Sequence, residues 1–223
     1  QDNLYSIKQT TDGGYILAGT SYSNISFDKT ENSIGGGDYW IVKTDALGVI
    51  QWQNTIGGNN YDLLYTIVQT SDGGYILGGT TGSNISGDKT ENSNGYLDYW
   101  IVKTDSLGVI QWQNTIGGSS EDRLYSIVQT IDGGYILAGL SDSNISGDKT
   151  ENTNGYFDYW IVKTDSTGAI QWQNTIGGGN QDYLYSIAQT SDGGYILGGY
   201  SGSTISGDKT ENCKGGFDYW IVK

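Results

Sequence analysis

Short runs of apolar and aromatic residues alternate with polar, glycine-rich segments along the whole chain, and the alternation has a fixed period. Two strings mark that period, DGGYIL and DYWIVK, and each occurs four times at intervals of 60 residues. They begin at Asp12, Asp72, Asp132 and Asp192, and at Asp38, Asp98, Asp158 and Asp218. A repeat of this kind is one supersecondary unit, which cannot bury its apolar surface alone and packs on its neighbours.

The chain divides into repeats at residues 1–60, 61–120, 121–180 and 181–223. Each full repeat contains four segments rich in Tyr, Ile, Val and Trp, separated by Asp and Gly turns. In the third repeat these segments are Leu124–Thr130, Gly134–Leu140, Asp158–Thr164 and Ala169–Ile176. They are too short for ordinary helices and are rich in strand formers, so the pattern predicts an all-β protein with four strands per full repeat.

Four strands per repeat predict a β-propeller in which each repeat is one antiparallel blade. Apolar residues fall on both sides of the strand at 158–164, as a blade packed between two neighbours requires. The last blade is expected to lack its outer strand and to present residues 218–223 as an open edge. Our first expectation is one compact four-bladed domain over 1–223. The alternatives are half of an eight-bladed ring formed by two chains, and a natural protein that continues further.

The stretch DYWIVKTDSLGVIQW at 98–112 resembles the tryptophan-docking repeat of quinoprotein-type propellers and of related secreted bacterial propeller repeats. The shared pattern is Asp105, Gly108 and Trp112, with counterparts in the first and third repeats. The resemblance implies that this tryptophan, on the outer strand, locks neighbouring blades together. The pattern stops in the fourth repeat, and the chain lacks the adjacent cysteines of many quinoprotein enzymes. The resemblance therefore implies the scaffold and not a cofactor.

Composition excludes several classes of function. The chain has 11 basic and 25 acidic side chains, a net charge of −14, which argues against nucleic-acid binding. It has no histidine and one cysteine, which excludes histidine-based triads, a disulfide within the chain and cysteine-clustered metal sites. No apolar run approaches the roughly 20 residues that span a bilayer, so no membrane insertion is expected. An acidic surface rich in Ser, Thr and Asn favours a secreted protein.

Antiparallel order brings the long loop between the second and third strands of each repeat to the same edge as the connection between repeats. Polar loops on a rigid scaffold are common binding sites. Tyrosine rings there can stack on sugars while Asp and Asn accept hydrogen bonds from hydroxyl groups. The predicted ligand-binding residues are Asn84, Asp88, Tyr96, Asn144, Asp148 and Tyr156. Their repetition predicts a multivalent, lectin-like protein whose partners are glycans or cell-surface polymers.

The same loops contain alternating oxygen-bearing residues with the spacing of calcium loops found between propeller strands. The weakly predicted metal ligands are Thr90, Asn92, Asn94 and Asp98, and Thr150, Asn152, Asn154 and Asp158. Thr and Asn replace most of the carboxylates, so little negative charge would neutralise the ion. The alternative interpretation is that these side chains cap turns and that the loop hydrogen-bonds to itself. No other cofactor is expected.

Catalysis is not expected, because acids at equivalent repeat positions have similar environments, whereas an acid–nucleophile pair needs different ones. We expect the positions that break the repeat to be scattered and to form no acid–base set. They are Lys8, Tyr22, Phe27, Glu121, Arg123, Asp142, Cys213 and Lys214. The alternative to a lectin is a structural or adhesive repeat module of a larger cell-surface protein. The open strand of the last blade is the expected route to a homo-oligomer.

Overall fold

The computed structural model describes residues 1–223 and contains only β-strands, turns and loops. Fifteen strands follow one another along the chain, each five to eight residues long. Their bounds are β1 Asp2–Gln9, β2 Tyr15–Ser21, β3 Asp38–Thr44, β4 Ile50–Ile56, β5 Asp62–Gln69, β6 Tyr75–Thr81, β7 Asp98–Thr104, β8 Ile110–Ile116, β9 Asp122–Gln129, β10 Tyr135–Ser141, β11 Asp158–Thr164, β12 Ile170–Ile176, β13 Asp182–Gln189, β14 Tyr195–Ser201 and β15 Asp218–Val222.

The strands form one antiparallel sheet per repeat. The strand orders are β1-β2-β3-β4, β5-β6-β7-β8, β9-β10-β11-β12 and β13-β14-β15. The prediction of an all-β repeat fold is therefore confirmed, and the fourth sheet has three strands, with β15 at its edge. In the third repeat, the predicted strands differ from the observed ones by at most two residues at either end.

The chain forms two compact units. Unit 1 comprises Gln1–Ser93 and Tyr99–Thr115, and unit 2 comprises Asn94–Asp98 and Ile116–Lys223. The expectation of one domain over the whole chain stays a prediction.

In unit 1, the first two sheets pack face to face. Each sheet has two apolar faces because its neighbouring residues point to opposite sides. We call the face that meets the preceding repeat the leading face and the opposite one the trailing face. The trailing face of the first repeat contributes Ile16, Ala18, Tyr39 and Ile41 to the core, and the leading face of the second contributes Leu64, Ile67, Tyr75, Leu77, Trp100 and Val102. The Tyr39 hydroxyl donates to the Trp100 carbonyl at 3.0 Å.

Unit 2 repeats this arrangement between the third and fourth sheets. Its core joins Ile136, Ala138, Tyr159 and Ile161 to Leu184, Ile187, Leu197, Trp220 and Val222. The Tyr159 hydroxyl donates to the Trp220 carbonyl, again at 3.0 Å. Residues on both sides of β11 are buried, as the sequence predicts. The repeated antiparallel sheets are thus consistent with a propeller-like repeat fold, and the two sheet pairs, one in each unit, pack through equivalent faces.

The tryptophan of the outer strand reaches the following repeat. The Trp52 ring lies 5.9 Å from the ring of Tyr75, centroid to centroid, and Trp172 lies 6.0 Å from Tyr195. A side chain on Gly108 would collide with Trp52. Gly108 also has a φ of 82°, which glycine adopts without strain. Within each unit, the outer-strand tryptophan therefore contacts a tyrosine of the following repeat.

Candidate functional site

The long loops and the connections between repeats meet at one edge of each sheet, where they are joined by backbone hydrogen bonds. In unit 2, Tyr96 N–H donates to the Ser120 carbonyl at 2.9 Å, and Asp122 N–H donates to the Leu97 carbonyl at 2.6 Å. The equivalent bond in the third repeat is donated by Tyr156 N–H to the Asn180 carbonyl at 3.3 Å. This edge, which we call the loop edge, is therefore an ordered surface.

Buried lysines hold the long loops in place. Lys149 is almost completely buried, donates to the Thr175 hydroxyl at 2.5 Å, and lies 5.2 Å from the centre of the Trp160 ring. Burial lowers the pKa of Lys149. The neighbouring Glu151 carboxylate accepts a hydrogen bond from the Thr175 backbone at 2.6 Å. The charges of this loop segment therefore anchor it to the outer strand β12 of its own sheet.

The predicted ligand residues Asp88 and Asp148 join successive repeats. The Asp88 carboxylate accepts from Gly57 N–H at 3.2 Å, and Asp88 N–H donates to the Gly57 carbonyl at 2.9 Å. Asp148 makes the same pair of bonds to Gly117, at 3.2 and 2.9 Å. Burial raises the pKa of Asp88. Both carboxylates are only partly accessible, because they are used within the protein.

The other four predicted ligand residues are exposed. The Asn84 and Asn144 carbonyls accept hydrogen bonds from Ser86 and Ser146, both at 2.8 Å, while their side chains face solvent. Tyr96 and Tyr156 present most of their surface to solvent at equivalent positions of two successive repeats. In unit 2, therefore, two free tyrosine rings stand at the loop edge.

The predicted calcium ligands are engaged in internal hydrogen bonds. The side-chain carbonyls of Asn92 and Asn152 accept from Ile85 and Ile145 at 3.1 and 3.0 Å. The Asp98 carboxylate accepts a hydrogen bond from the backbone N–H of Asn94 at 2.7 Å. The Asp158 carboxylate accepts the equivalent bond from Asn154 at 2.5 Å. The side chain of Asn94 also donates to the Asp148 carboxylate at 3.0 Å, which brings two of the predicted residues together.

The remaining predicted calcium ligands, Thr90 and Thr150, are exposed, and their backbone N–H groups each donate to a glutamine side chain, at 3.3 and 3.2 Å. No group of three or more His, Cys, Asp or Glu side chains is placed to share an ion. The hydrogen bonds within these loops are those expected if the loop side chains cap turns and the loop hydrogen-bonds to itself.

Three positions that break the repeat are neighbours in unit 2, so the expectation that such positions are scattered is wrong for them. Glu121 and Arg123 are two residues apart, so their side chains point to the same side of the chain and form an ion pair. Glu121 N–H donates to the Asp142 carboxylate at 2.7 Å, and Asp142 N–H donates to the Glu121 carbonyl at 3.0 Å. The antiparallel pairing of β9 with β10 brings 121–123 next to 140–142.

Glu121 and Arg123 border a pocket of about 220 Å³. It is lined by Glu121, Arg123, Tyr125, Leu140, Phe157 and Tyr183. The rings of Phe157 and Tyr183 lie 5.6 Å apart, and Tyr125 stacks against Tyr185 at 4.9 Å. Burial raises the pKa of Tyr125, and the nearby Arg123 partly offsets this. We call this site the ring pocket.

The ring pocket and the exposed tyrosines belong to the same edge. Tyr156 directly precedes Phe157 in the chain, and Tyr96 is bonded to Ser120, which precedes Glu121. The pocket was not predicted from the sequence, because each unusual residue taken alone has no signature of a site. Glu121 directly precedes strand β9 and Arg123 is the second residue of that strand, so their two-residue spacing was the available signal.

A scan against models of known protein families gave no match to this chain. The structure contains no helix of the length and apolar character needed to cross a membrane.

Proposed function

We propose that this protein is a secreted, non-catalytic carbohydrate-binding β-propeller, and that it binds glycans at the loop edge of unit 2. The single observation that supports this most is the ring pocket, which combines aromatic walls with one charged pair. Binding sites for small polar ligands are concave and mostly apolar, with a few polar groups that fix orientation. Aromatic rings contact the C–H faces of a sugar, and Arg123 and Glu121 offer hydrogen-bond partners to its hydroxyl groups.

Two further contacts extend the proposed site. Tyr96 and Tyr156 are exposed at the loop edge, and the amide-rich segments next to them supply donors and acceptors. Equivalent tyrosines on successive repeats would let one polymer chain be held at more than one point, which increases affinity through multivalency. A non-catalytic role fits a Glu121 carboxylate that is already occupied by Arg123.

The test is a glycan array followed by titration calorimetry on any glycan bound, with calcium and with a chelator. The chain itself supplies conservative variants, because other repeats show which residues the fold accepts. Glu121→Tyr, Arg123→Leu and Phe157→Leu together give the third repeat the residues of the second. We expect this variant to lose at least about tenfold in affinity, equivalent to about 1.4 kcal/mol. Ile131→Ala, an exposed residue in the turn at the opposite edge of unit 2, is the control.

Tyr96→Gly and Tyr156→Gly use the residues that the first and fourth repeats carry at that position. Each is expected to weaken binding less than the pocket variant does. If no glycan binds, or if the pocket variant binds as tightly as wild type, the proposal is wrong. If a chelator abolishes binding, calcium in the long loops is part of the site.

A second candidate function is a structural or adhesive repeat module of a larger cell-surface protein. One observation favours it specifically: the sheets of the first and fourth repeats each leave one apolar face exposed.

A further inference from the structure

The outer faces of the first and fourth repeats have the residues of a buried interface but nothing covering them. We propose that the trailing face of the fourth repeat binds the leading face of the first repeat in a second copy of this chain, head to tail. The contact would reproduce the one that joins the first two sheets within unit 1. It is independent of the proposed glycan site.

The leading faces of the first and second repeats carry the same side chains. In the second repeat they are Leu64, Ile67, Tyr75, Leu77, Trp100 and Val102, all buried. The first repeat has Leu4, Ile7, Tyr15, Leu17, Trp40 and Val42 at these positions. Yet Leu4 is 58% exposed where Leu64 is 0% exposed. A groove of about 350 Å³ on this face is lined by Leu4, Leu17, Trp40 and Val42, among others.

The trailing face of the fourth repeat shows the complementary pattern. Tyr219 is 94% exposed, whereas Tyr159, its counterpart in the third repeat, is 0% exposed. Ile196 and Ile221 are also exposed, whereas Ile136 and Ile161 at the same positions are buried. A shallow cavity of about 400 Å³ lies beside Tyr219 and Ile221. Large exposed apolar patches on a protein surface usually mark interaction sites.

A specific hydrogen bond defines how the two faces would meet. Within unit 1, the Tyr39 hydroxyl donates to the Trp100 carbonyl. The same hydroxyl lies so close to Gly79 that a Cβ added to Gly79 would be 2.6 Å from the hydroxyl oxygen. The first repeat keeps this glycine as Gly19, and no tyrosine hydroxyl occupies the space beside it. We infer that Tyr219 of one copy donates to the Trp40 carbonyl of the other.

A second copy is the partner that fits, because this chain already carries both halves of the contact. The two faces differ, so the contact is heterologous: two copies can close on each other, or further copies can add in a row. Either outcome predicts a mass that rises above that of one chain.

The experiment is sedimentation velocity with light scattering over a wide range of protein concentration. We expect wild type to associate, and Ile221→Lys to remain a monomer, because a lysine on the trailing face would have to be buried. Leu107→Lys is the matched control: Leu107 is 67% exposed and Ile221 is 68% exposed, but Leu107 lies in a turn away from both faces. Both substitutions are at exposed positions, so the fold is kept.

A mixing experiment tests the head-to-tail geometry. Leu4→Lys blocks the leading face and Ile221→Lys blocks the trailing face, so each variant alone is expected to be a monomer. Mixed together, they retain one intact pair of faces and should form a dimer that grows no further. Wild type that stays monomeric at every concentration would overturn the proposal. So would wild-type association that Ile221→Lys leaves unchanged, or a mixture in which both variants remain monomers.

Discussion

The leading faces of the first and second repeats have the same apolar side chains and different surroundings. Leu64 is fully buried against the first sheet, while Leu4, on an equivalent strand, is largely exposed. Trp100 is buried, while Trp40 is half-buried. In this protein, burial is decided by the neighbouring repeat and not by the local sequence. Stability in a repeat fold is accordingly a sum of repeat and interface contributions.

The same comparison extends to buried polar groups. Asp62 is buried and accepts hydrogen bonds from Gly58 N–H at 2.6 Å and from the Ser83 hydroxyl at 3.0 Å. Asp2, its counterpart in the first repeat, is exposed to solvent. A matched pair of variants, one in each setting, therefore separates what the repeat contributes from what its neighbour contributes.

Truncating the two leucines should give the largest difference. We expect Leu64→Ala to destabilise the protein by about 2–5 kcal/mol because it leaves a cavity in the core. Leu4→Ala should cost less than about 1 kcal/mol because its side chain is already exposed. Urea denaturation measures both, in the Ile221→Lys background to exclude a second copy. Equal costs would contradict the comparison.

Stability should fall as pH rises from about 4 to about 6. Burial raises the pKa of Asp62, Asp122 and Asp158 from 3.8 to about 6. In this window the unfolded chain releases protons that the folded protein keeps, so the expected loss is up to about 3 kcal/mol for each of these carboxylates, at about 1.4 kcal/mol per pKa unit. Thermal unfolding at several pH values measures it. Asp62→Asn should reduce the slope.

Below pH 4 the trend should reverse. Hydrogen bonds from Thr130 and Lys163 lower the pKa of Asp132 to about 2. Such a group stabilises the folded protein above its unfolded pKa and loses that contribution as pH falls towards 2. Stability should therefore be greatest near pH 4, and a steady rise in stability from pH 4 to 7 would contradict this prediction.

The buried lysines offer a smaller contrast. Lys89 donates to the Glu91 carbonyl at 2.7 Å and to the Thr115 hydroxyl on the outer strand. Lys209 occupies the same loop position in the fourth repeat, whose sheet has no fourth strand. Lys89→Met should cost about 1–3 kcal/mol by leaving buried acceptors unpaired, and Lys209→Met less than about 1 kcal/mol. Chemical denaturation of the two variants provides the measurement, and a larger cost at Lys209 would be the contrary result.

The smallest expected effect is at Phe27, which has a φ of 49° where Gly87 has 55°. This left-handed conformation is strained for residues with a Cβ, so Phe27→Gly should stabilise the protein by about 0.5–1 kcal/mol after the entropy of glycine is counted. Phe27→Ala keeps the Cβ and should give no such gain. If alanine stabilised as much as glycine, the exposed ring and not the backbone would be responsible.

The regular part of the fold was predictable because each strand is encoded locally. The apolar pattern at 158–164 matches β11 over its full length, and the Asp and Gly turns locate its ends. The exposure of Leu4 and Tyr219 was not predictable, because the same residue types at the same repeat positions, Leu64 and Tyr159, are buried. Only the packing of whole repeats distinguishes them.

The candidate site was predictable in part. The exposure of Tyr96 and Tyr156 follows from their place in a polar loop. The structural use of Asp88 did not follow, since a loop aspartate that bonds Gly57 in the preceding repeat has no local signature. The ring pocket needed the register of β9 with β10, which brings Arg123 opposite Leu140.

Hydrogen–deuterium exchange at low and high protein concentration tests the central claim, that neighbouring repeats decide burial. At low concentration, β1 and β15 should exchange faster than β5, because their outer faces are uncovered. At high concentration, β1 and β15 should gain protection while the protection of β5 stays unchanged. If β1 and β5 were equally protected at every concentration, the end faces would be covered within one chain, and the claim would be wrong.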